Sequence, residues 1–331
     1  MKKVLFFVYL LVVPFLLLEA AVRIWGYSAH YIYDPIYMPY EKSEDIPYIQ
    51  KPDLNNARAR GLAVIHTDSF GLRAVNVGAV YGPKKSDQFR IAIAGDSVTF
   101  GEGVPLTEEI YSAVLEEILN KELEEKQIQV FNFGVSAYSV RQMAATLRYR
   151  IPEVQPDIVI MAVVPEDFTL SRTGTVDKWG YTAQESTASV VSEHSLLKRI
   201  LRKIHLTYLV RDIIYSYLAG DKENLNKPIA PGGSGTIPED AYQYVLRFRD
   251  TAEQMRIPYL VLLLPPINHT FDNTFIERLR RDRIVFLDLN PIKQEFPAEV
   301  YNASKFDAHL SPAVHRRVAE ETAAYILSRM K

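Results

Sequence analysis

The sequence predicts an α/β protein: a flavodoxin-like three-layer α/β/α fold with a five-stranded parallel sheet, preceded by an N-terminal transmembrane helix. Three observations carry that expectation. Apolar runs of strand length at 89–95, 127–133, 157–163, 258–264 and 284–288 alternate with helical segments, the pattern of a parallel sheet covered on both faces. The first of these runs stops abruptly at Gly95-Asp96-Ser97, and the carboxyl ends of strands are where open α/β sheets handle ligands. The chain of 331 residues, 48% hydrophobic and 24% charged, is long enough for one large domain with additions.

Taken in order, the chain begins with Lys2-Lys3 and an apolar run from Val4 to Leu18. That run alone is shorter than the roughly 20 residues a spanning helix needs. Continued through Ala20, Ala21, Val22, Ile24 and Trp25 it reaches the length, with Trp25 and Tyr27 as interfacial anchors. A cleaved secretory signal is the competing reading. Glu19 and Arg23 make a poor small-residue cleavage site, which favours an uncleaved anchor. Either way the lysines stay inside and the remainder is exported, a single pass with the domain outside the cytoplasm. With no cysteine there is no lipoprotein attachment, no disulfide and no thiolate zinc site. A net charge of −2 offers no argument for nucleic acid.

Residues 1–27 therefore read as the anchor and 28–88 as a juxtamembrane linker with short strands. Residues 89–331 read as the main domain, with a helical insertion at about 170–237. Within that domain a helix is expected at 107–125, with Thr107 as N-cap and Ile110, Val114 and Ile118 on one stripe backed by Leu115 and Leu119. Further helices are expected at 139–150, 239–255 and 312–330. The insertion is too long for a plain connection. It holds a helical segment from Leu196 to Leu218, with Leu197, Ile200, Leu201, Ile204, Leu209, Ile213 and Ile214 on an apolar side. Lys198, Arg199, Arg202, Lys203 and Arg211 form a basic one. Such a helix lies on a membrane surface or packs on its own domain, and the sequence leaves both open. Pro231-Gly232-Gly233-Ser234-Gly235 closes the insertion as a flexible hinge.

Residues suited to acyl chemistry fall in order along this frame. Ser97 follows the first strand, and Phe131-Asn132-Phe133-Gly134-Val135-Ser136 puts a Gly at the end of the second. Val163-Val164-Pro165-Glu166-Asp167 follows the third, and Phe306-Asp307-Ala308-His309-Leu310-Ser311-Pro312 precedes the closing helix. Together these four blocks resemble the SGNH (GDSL-type) hydrolase superfamily of esterases, lipases and acyl-transfer enzymes, in a membrane-anchored form. A serine hydroxyl is hardly ionised at neutral pH, so nucleophilic attack needs a base, an orienting group for that base, and donors for the oxyanion. The resemblance implies Ser97 as nucleophile, His309 as base and Asp307 as its orienting carboxylate. The backbone N–H groups of Ser97 and Gly134 would hold the oxyanion, and Asp96 and Asp167 would brace the loops.

The chain departs from the pattern twice. The family's third block ends in Asn-Asp, with the Asn amide as an oxyanion donor; here the pair is Glu166-Asp167, and an ionised carboxylate only accepts. The family's acid most often precedes its His by three residues, where this chain has Phe306. Asp307 is two before His309 and, on an extended segment, points the same way. His30, His66, His194, His205, His269 and His315 read as surface or packing residues, and neither metal nor cofactor is expected. The implied activity is a membrane-anchored serine esterase acting on an acyl ester, acetyl among the candidates, of an envelope carbohydrate or lipid. An O-acyltransferase using the same site, or a catalytically impaired binding protein of the same fold, are the alternatives. A mononucleotide binder is disfavoured, because the first strand-helix turn lacks a glycine-rich phosphate cradle.

Overall fold

The computed structural model describes residues 2–27, 31–60, 63–170, 174–184, 196–218, 237–267 and 269–330; the Pro231–Gly235 hinge, His30 and His194 lie outside them. Helix α1 (Lys2–Trp25) leads to five short strands, β1 (Tyr37–Pro39), β2 (Tyr48–Gln50), β3 (Ala57–Arg58), β4 (Val64–Thr67) and β5 (Arg73–Ala74). Then come β6 (Gln88–Gly95), the one-turn α2 (Ser97–Phe100), α3 (Tyr111–Glu122), β7 (Gln127–Gly134), α4 (Val140–Tyr149) and β8 (Ile158–Val163). The insertion holds β9 (Gly174–Val176), β10 (Thr182–Gln184), α5 (Leu196–Leu201) and α6 (His205–Leu218). The chain closes through α7 (Glu239–Gln254), β11 (Tyr259–Leu263), α8 (Asn273–Arg281), β12 (Phe286–Asp288) and α9 (Ala298–Tyr301). A hairpin of β13 (Asn302–Ser304) and β14 (Asp307–Leu310) and the helix α10 (Pro312–Met330) follow.

The expected sheet is present. Its order is β12-β11-β8-β6-β7, all parallel, which is the flavodoxin-like arrangement. The two-residue period of a strand sends Ala92 and Ala94 to one face of β6, with Val140, Met143 and Leu147 of α4 and Val245 and Phe248 of α7. Ile91 and Ile93 face the other way, into Tyr111, Val114 and Leu115 of α3 and Val314 and Val318 of α10. Burial on both faces is why the central strands are continuous apolar runs rather than alternating ones. The connections leaving β6 on either side open a crevice at its carboxyl end, and Ser97 stands there.

Several expectations change. Residues 31–60 and 63–88, expected as a linker with short strands, do carry short strands and pack on the domain. Ile36, Ile46, Tyr48 and Ile65 form a third core with Phe100, Val135, Tyr138 and Ala145. Strands of two to four residues are too short to show a period, which hid this core in the sequence. Thr107 does not cap a long helix: 107–109 is a single 3-10 turn, and α3 begins at Tyr111 without a side-chain cap. The reason is remote in sequence, because Thr107 Oγ1 accepts from Nε of the buried Arg73 at 3.1 Å. The segment 196–218 is two helices with a break at 202–204, and α8 and the β13–β14 hairpin are additions.

Candidate active site

Asp96 closes β6 and caps α2, its Oδ1 accepting the Val98 N–H at 2.9 Å. Its Oδ2 lies 3.2 Å from Ser97 Oγ and accepts from it. Ser97 opens α2, so its own N–H belongs to the first turn, where no intrahelical carbonyl is available. Helix α2 lies close over the end of β7. A Cβ on Gly134 would come within 2.3 Å of Phe100 N and 2.6 Å of the Thr99 carbonyl carbon, so only glycine lets α2 settle there. The Gly134 N–H, however, donates to Asn132 Oδ1 at 2.9 Å, while its carbonyl accepts from Gln50 Nε2 at 2.8 Å. Gly134 thus seats α2, and its N–H is turned to the Asn132 amide rather than left open as the expected oxyanion donor.

The expected base and acid, His309 and Asp307, come from the far end of the chain. Asp307 and His309 are alternate residues of β14 and share one side of it. Asp307 Oδ1 lies 2.6 Å from His309 Nδ1 and also accepts the His309 backbone N–H at 3.1 Å. His309 Nε2 is 2.9 Å from Ser97 Oγ. Asp307, His309 and Ser97 therefore form one unbroken hydrogen-bonded series. Room for it is made at Gly103, whose φ is +82°; a Cβ there would meet Asp307 Oδ2 at 2.9 Å and Ala303 Cβ at 2.7 Å.

A residue that sequence reasoning passed over joins this group. Glu102 is buried between Gly101 and Gly103, both left-handed, and its N–H donates to the Ser97 carbonyl at 2.9 Å. Its Oε2 is 3.9 Å from His309 Nε2, and its Oε1 is 3.7 Å from Nε of Arg60. Arg60 in turn donates from Nη2 to Thr182 Oγ1 at 3.3 Å and lies over the Tyr33 ring at 4.7 Å. The sequence marks the place only by a Gly-Glu-Gly triplet after Ser97, which leaves the direction of the acid open. Burial works against the charged form of His309, but the carboxylates of Asp307, Glu102 and Asp96 outweigh it and raise its pKa to about 9.

Glu166 and Asp167 lie on a 3-10 turn after β8, one strand over from β6. Asp167 Oδ2 accepts the Val164 N–H at 2.9 Å and ties that turn together. Glu166 is buried, with Oε1 3.2 Å from His269 Nδ1 and with no hydrogen-bond partner for Oε2 among the described residues. His269 therefore belongs to the same edge of the sheet as Ser97, where the sequence offered it only as surface or packing. His315 is buried against Tyr111, accepting its N–H at 3.1 Å, and burial followed by the charges of Arg73 and His309 pushes its pKa down to about 3. It is a neutral core residue. Among the described residues no cluster of His, Asp and Glu could hold a metal ion.

No family model and no curated protein match this chain. Solved structures do. It is similar to a lipolytic protein of the G-D-S-L family from Desulfitobacterium hafniense, at 15% identity over 71% of this chain and 98% of that one, with a TM-score of 0.41. It is similar to a catalytic mutant of an acetylxylan esterase from Geobacillus stearothermophilus at 13% identity over 71% and 93%, with a TM-score of 0.38. A lipase/acylhydrolase from Enterococcus faecalis is similar at 11% identity over 73% and 96%, with a TM-score of 0.41. At these identities and TM-scores the likeness assigns no activity to this chain.

Proposed function

We propose that the chain is a membrane-anchored serine ester hydrolase of the SGNH type, working through an acyl-enzyme on Ser97. The observation that carries this reading is the series from Asp307 through His309 Nδ1 and Nε2 to Ser97 Oγ, at 2.6 and 2.9 Å. In the working cycle a neutral His309 accepts the Ser97 proton on Nε2 as Oγ attacks the ester carbonyl. Asp307 holds the Nδ1–H and stabilises the imidazolium. The N–H of Ser97, at the first turn of α2, faces the developing oxyanion. Collapse of the tetrahedral species returns the proton from His309 to the departing alcohol. Water then attacks the acyl group by the same route and frees Ser97.

The anchor is part of the proposal. α1 is long and apolar enough to cross a membrane over Val8–Trp25, with a mean hydropathy of 1.9, and only 11% of that stretch is buried. A helix so apolar and so little covered by protein is at home in lipid rather than water. With Lys2 and Lys3 on the inner side, the domain lies outside the cytoplasm. An acyl ester, acetyl among the candidates, on an envelope carbohydrate or lipid is the substrate class we assign. The test is turnover of short-chain p-nitrophenyl esters by the full chain in detergent micelles, beside Ser97→Ala. Turnover that Ser97→Ala abolishes supports the reading; equal hydrolysis by both proteins contradicts it.

A further inference from the structure

Helix α6 is amphipathic in the wrong sense for a protein surface in water. Leu206, Val210, Ile213 and Ile214 recur at the spacing of one helix face, and the last three are 45%, 48% and 51% exposed. In α5, Ile200 is 52% exposed as well. The arginines point the other way. Arg202 pairs with the buried Asp177 at 2.9 Å and lies over the Tyr181 ring at 4.3 Å. Arg211 lies over the Tyr31 ring at 4.4 Å and pairs with Asp212. Arg202 and Arg211 are held by these partners while the apolar stripe looks out.

The same helix is fastened to α1. Glu19 is the one carboxylate in the Val8–Trp25 stretch, and it is buried. Its two oxygens accept the N–H groups of His205 and Leu206 at 3.0 and 2.8 Å, capping α6, and Oε1 also takes Arg23 Nε at 2.7 Å. Arg23 Nη2 donates to the Lys203 carbonyl at 3.3 Å, and Tyr27 OH donates to Asp212 Oδ2 at 2.9 Å. Glu19 lies six residues before Trp25, a depth of roughly 9 Å at the rise of an α-helix. The first turn of α6 is thus fixed below the level at which α1 ends. An ionised side chain inside an apolar span is tolerated when it is fully paired, and α6 supplies the pairing.

We propose that the outward apolar face of α5 and α6 is a lipid-contacting surface continuous with α1, so that the insertion is a second membrane element and not a solvent-exposed lid. Its occupant is the outer leaflet of the bilayer: the stripe is apolar, it adjoins the apolar and largely uncovered helix α1, and Arg202 and Arg211 are turned to partners away from it. A consequence for the site follows from Phe306, next to Asp307. Its ring packs edge-on against Trp25 and Tyr27 at 5.7 and 5.5 Å, which puts the base of β14 beside the end of α1 and hence near the interface.

The inference rests on α1 lying in the bilayer, and the test separates the two. Because the chain has no cysteine, single variants Leu11→Cys on α1, Val210→Cys and Ile213→Cys on α6, and Lys121→Cys at an exposed position of α3 each carry one environment-sensitive fluorophore. The full chain is placed in phosphatidylethanolamine/phosphatidylglycerol nanodiscs with nitroxide-labelled lipid as quencher. Labels at 11, 210 and 213 are expected to be quenched several-fold more than the label at 121. Quenching at 11 with 210 and 213 no different from 121 overturns the inference and leaves the anchor intact. No quenching at 11 overturns the anchor, and the inference with it. Two exposed positions on the stripe guard against one variant failing to fold.

Discussion

At the scale of single residues, the site is a question of where one proton rests. Ser97 Oγ can donate to His309 Nε2 at 2.9 Å or to Asp96 Oδ2 at 3.2 Å, and the charge on His309 decides between them. When His309 is an imidazolium, its Nε2–H donates to Oγ and the hydroxyl turns to Asp96. When it is neutral, Nε2 accepts and the nucleophile is primed. Carboxylates crowd the imidazole, so its pKa stands at about 9 and the charged, unprimed form prevails at neutral pH. On the proposed mechanism only the neutral form is productive. kcat/KM is therefore expected to rise with pH, by about tenfold per unit at the lower end, and to level off above about pH 9. Glu102→Gln removes a negative charge 3.9 Å from Nε2, so it should lower that pKa and move the rising limb to lower pH. A limb unmoved by Glu102→Gln would mean that Glu102 does not act on His309. Asp307→Asn should leave the fold intact and cost about three to four powers of ten in kcat, since the amide favours the wrong tautomer.

At the scale of elements, the placing of Ser97 depends on how closely α2 lies on β7 and on what holds the loop behind it. Gly134→Ala puts a methyl 2.3 Å from Phe100 N and must lift α2 away. Ester turnover should fall by at least about tenfold, since a misplacement of about 1 Å can cost two powers of ten, while circular dichroism stays that of the parent. Arg73, from β5, donates to the carbonyls of Phe100, Gly101 and Val104 at 3.2, 2.7 and 2.9 Å as well as to Thr107. Arg73→Met leaves buried carbonyls without donors and should cost on the order of 3 kcal/mol, read from thermal or denaturant unfolding.

These elements also show what the sequence made legible. The sheet was readable because strands buried on both faces are long apolar runs, and Ser97 was readable because such a run broke at Gly-Asp-Ser. Asp307 and His309 were singled out by the resemblance, and the alternation of an extended segment made their contact sterically reasonable. Arg73 holding Thr107, and Glu166 facing His269, were not, since each joins segments separated in sequence by 34 and 103 residues. The insertion helix disclosed two faces, but amphipathicity does not say which one points inward. Glu102 was overlooked because nothing in a Gly-Glu-Gly triplet states that its side chain turns towards an imidazole coming from residue 309.

At the scale of the whole molecule, residues before the sheet help to hold the candidate site. Gln50 holds the Gly134 carbonyl, Arg60 faces Glu102, and Arg73 holds the loop after the nucleophile. The N-terminal segment therefore braces the candidate site as well as joining it to α1. On this account the protein should fractionate with membranes, resist release by high salt or carbonate, and dissolve in detergent, because its attachment is hydrophobic rather than electrostatic. Release by salt alone would contradict the anchor.

The most direct test of the central claim is covalent labelling of the full chain by a fluorophosphonate, which reports an activated serine without requiring the natural ester to be known. The account predicts labelling at Ser97 that is lost in Ser97→Ala, lost in His309→Ala, and stronger at pH 9 than at pH 7. A folded wild-type protein that takes no label, or one whose labelling survives His309→Ala unchanged, would contradict it.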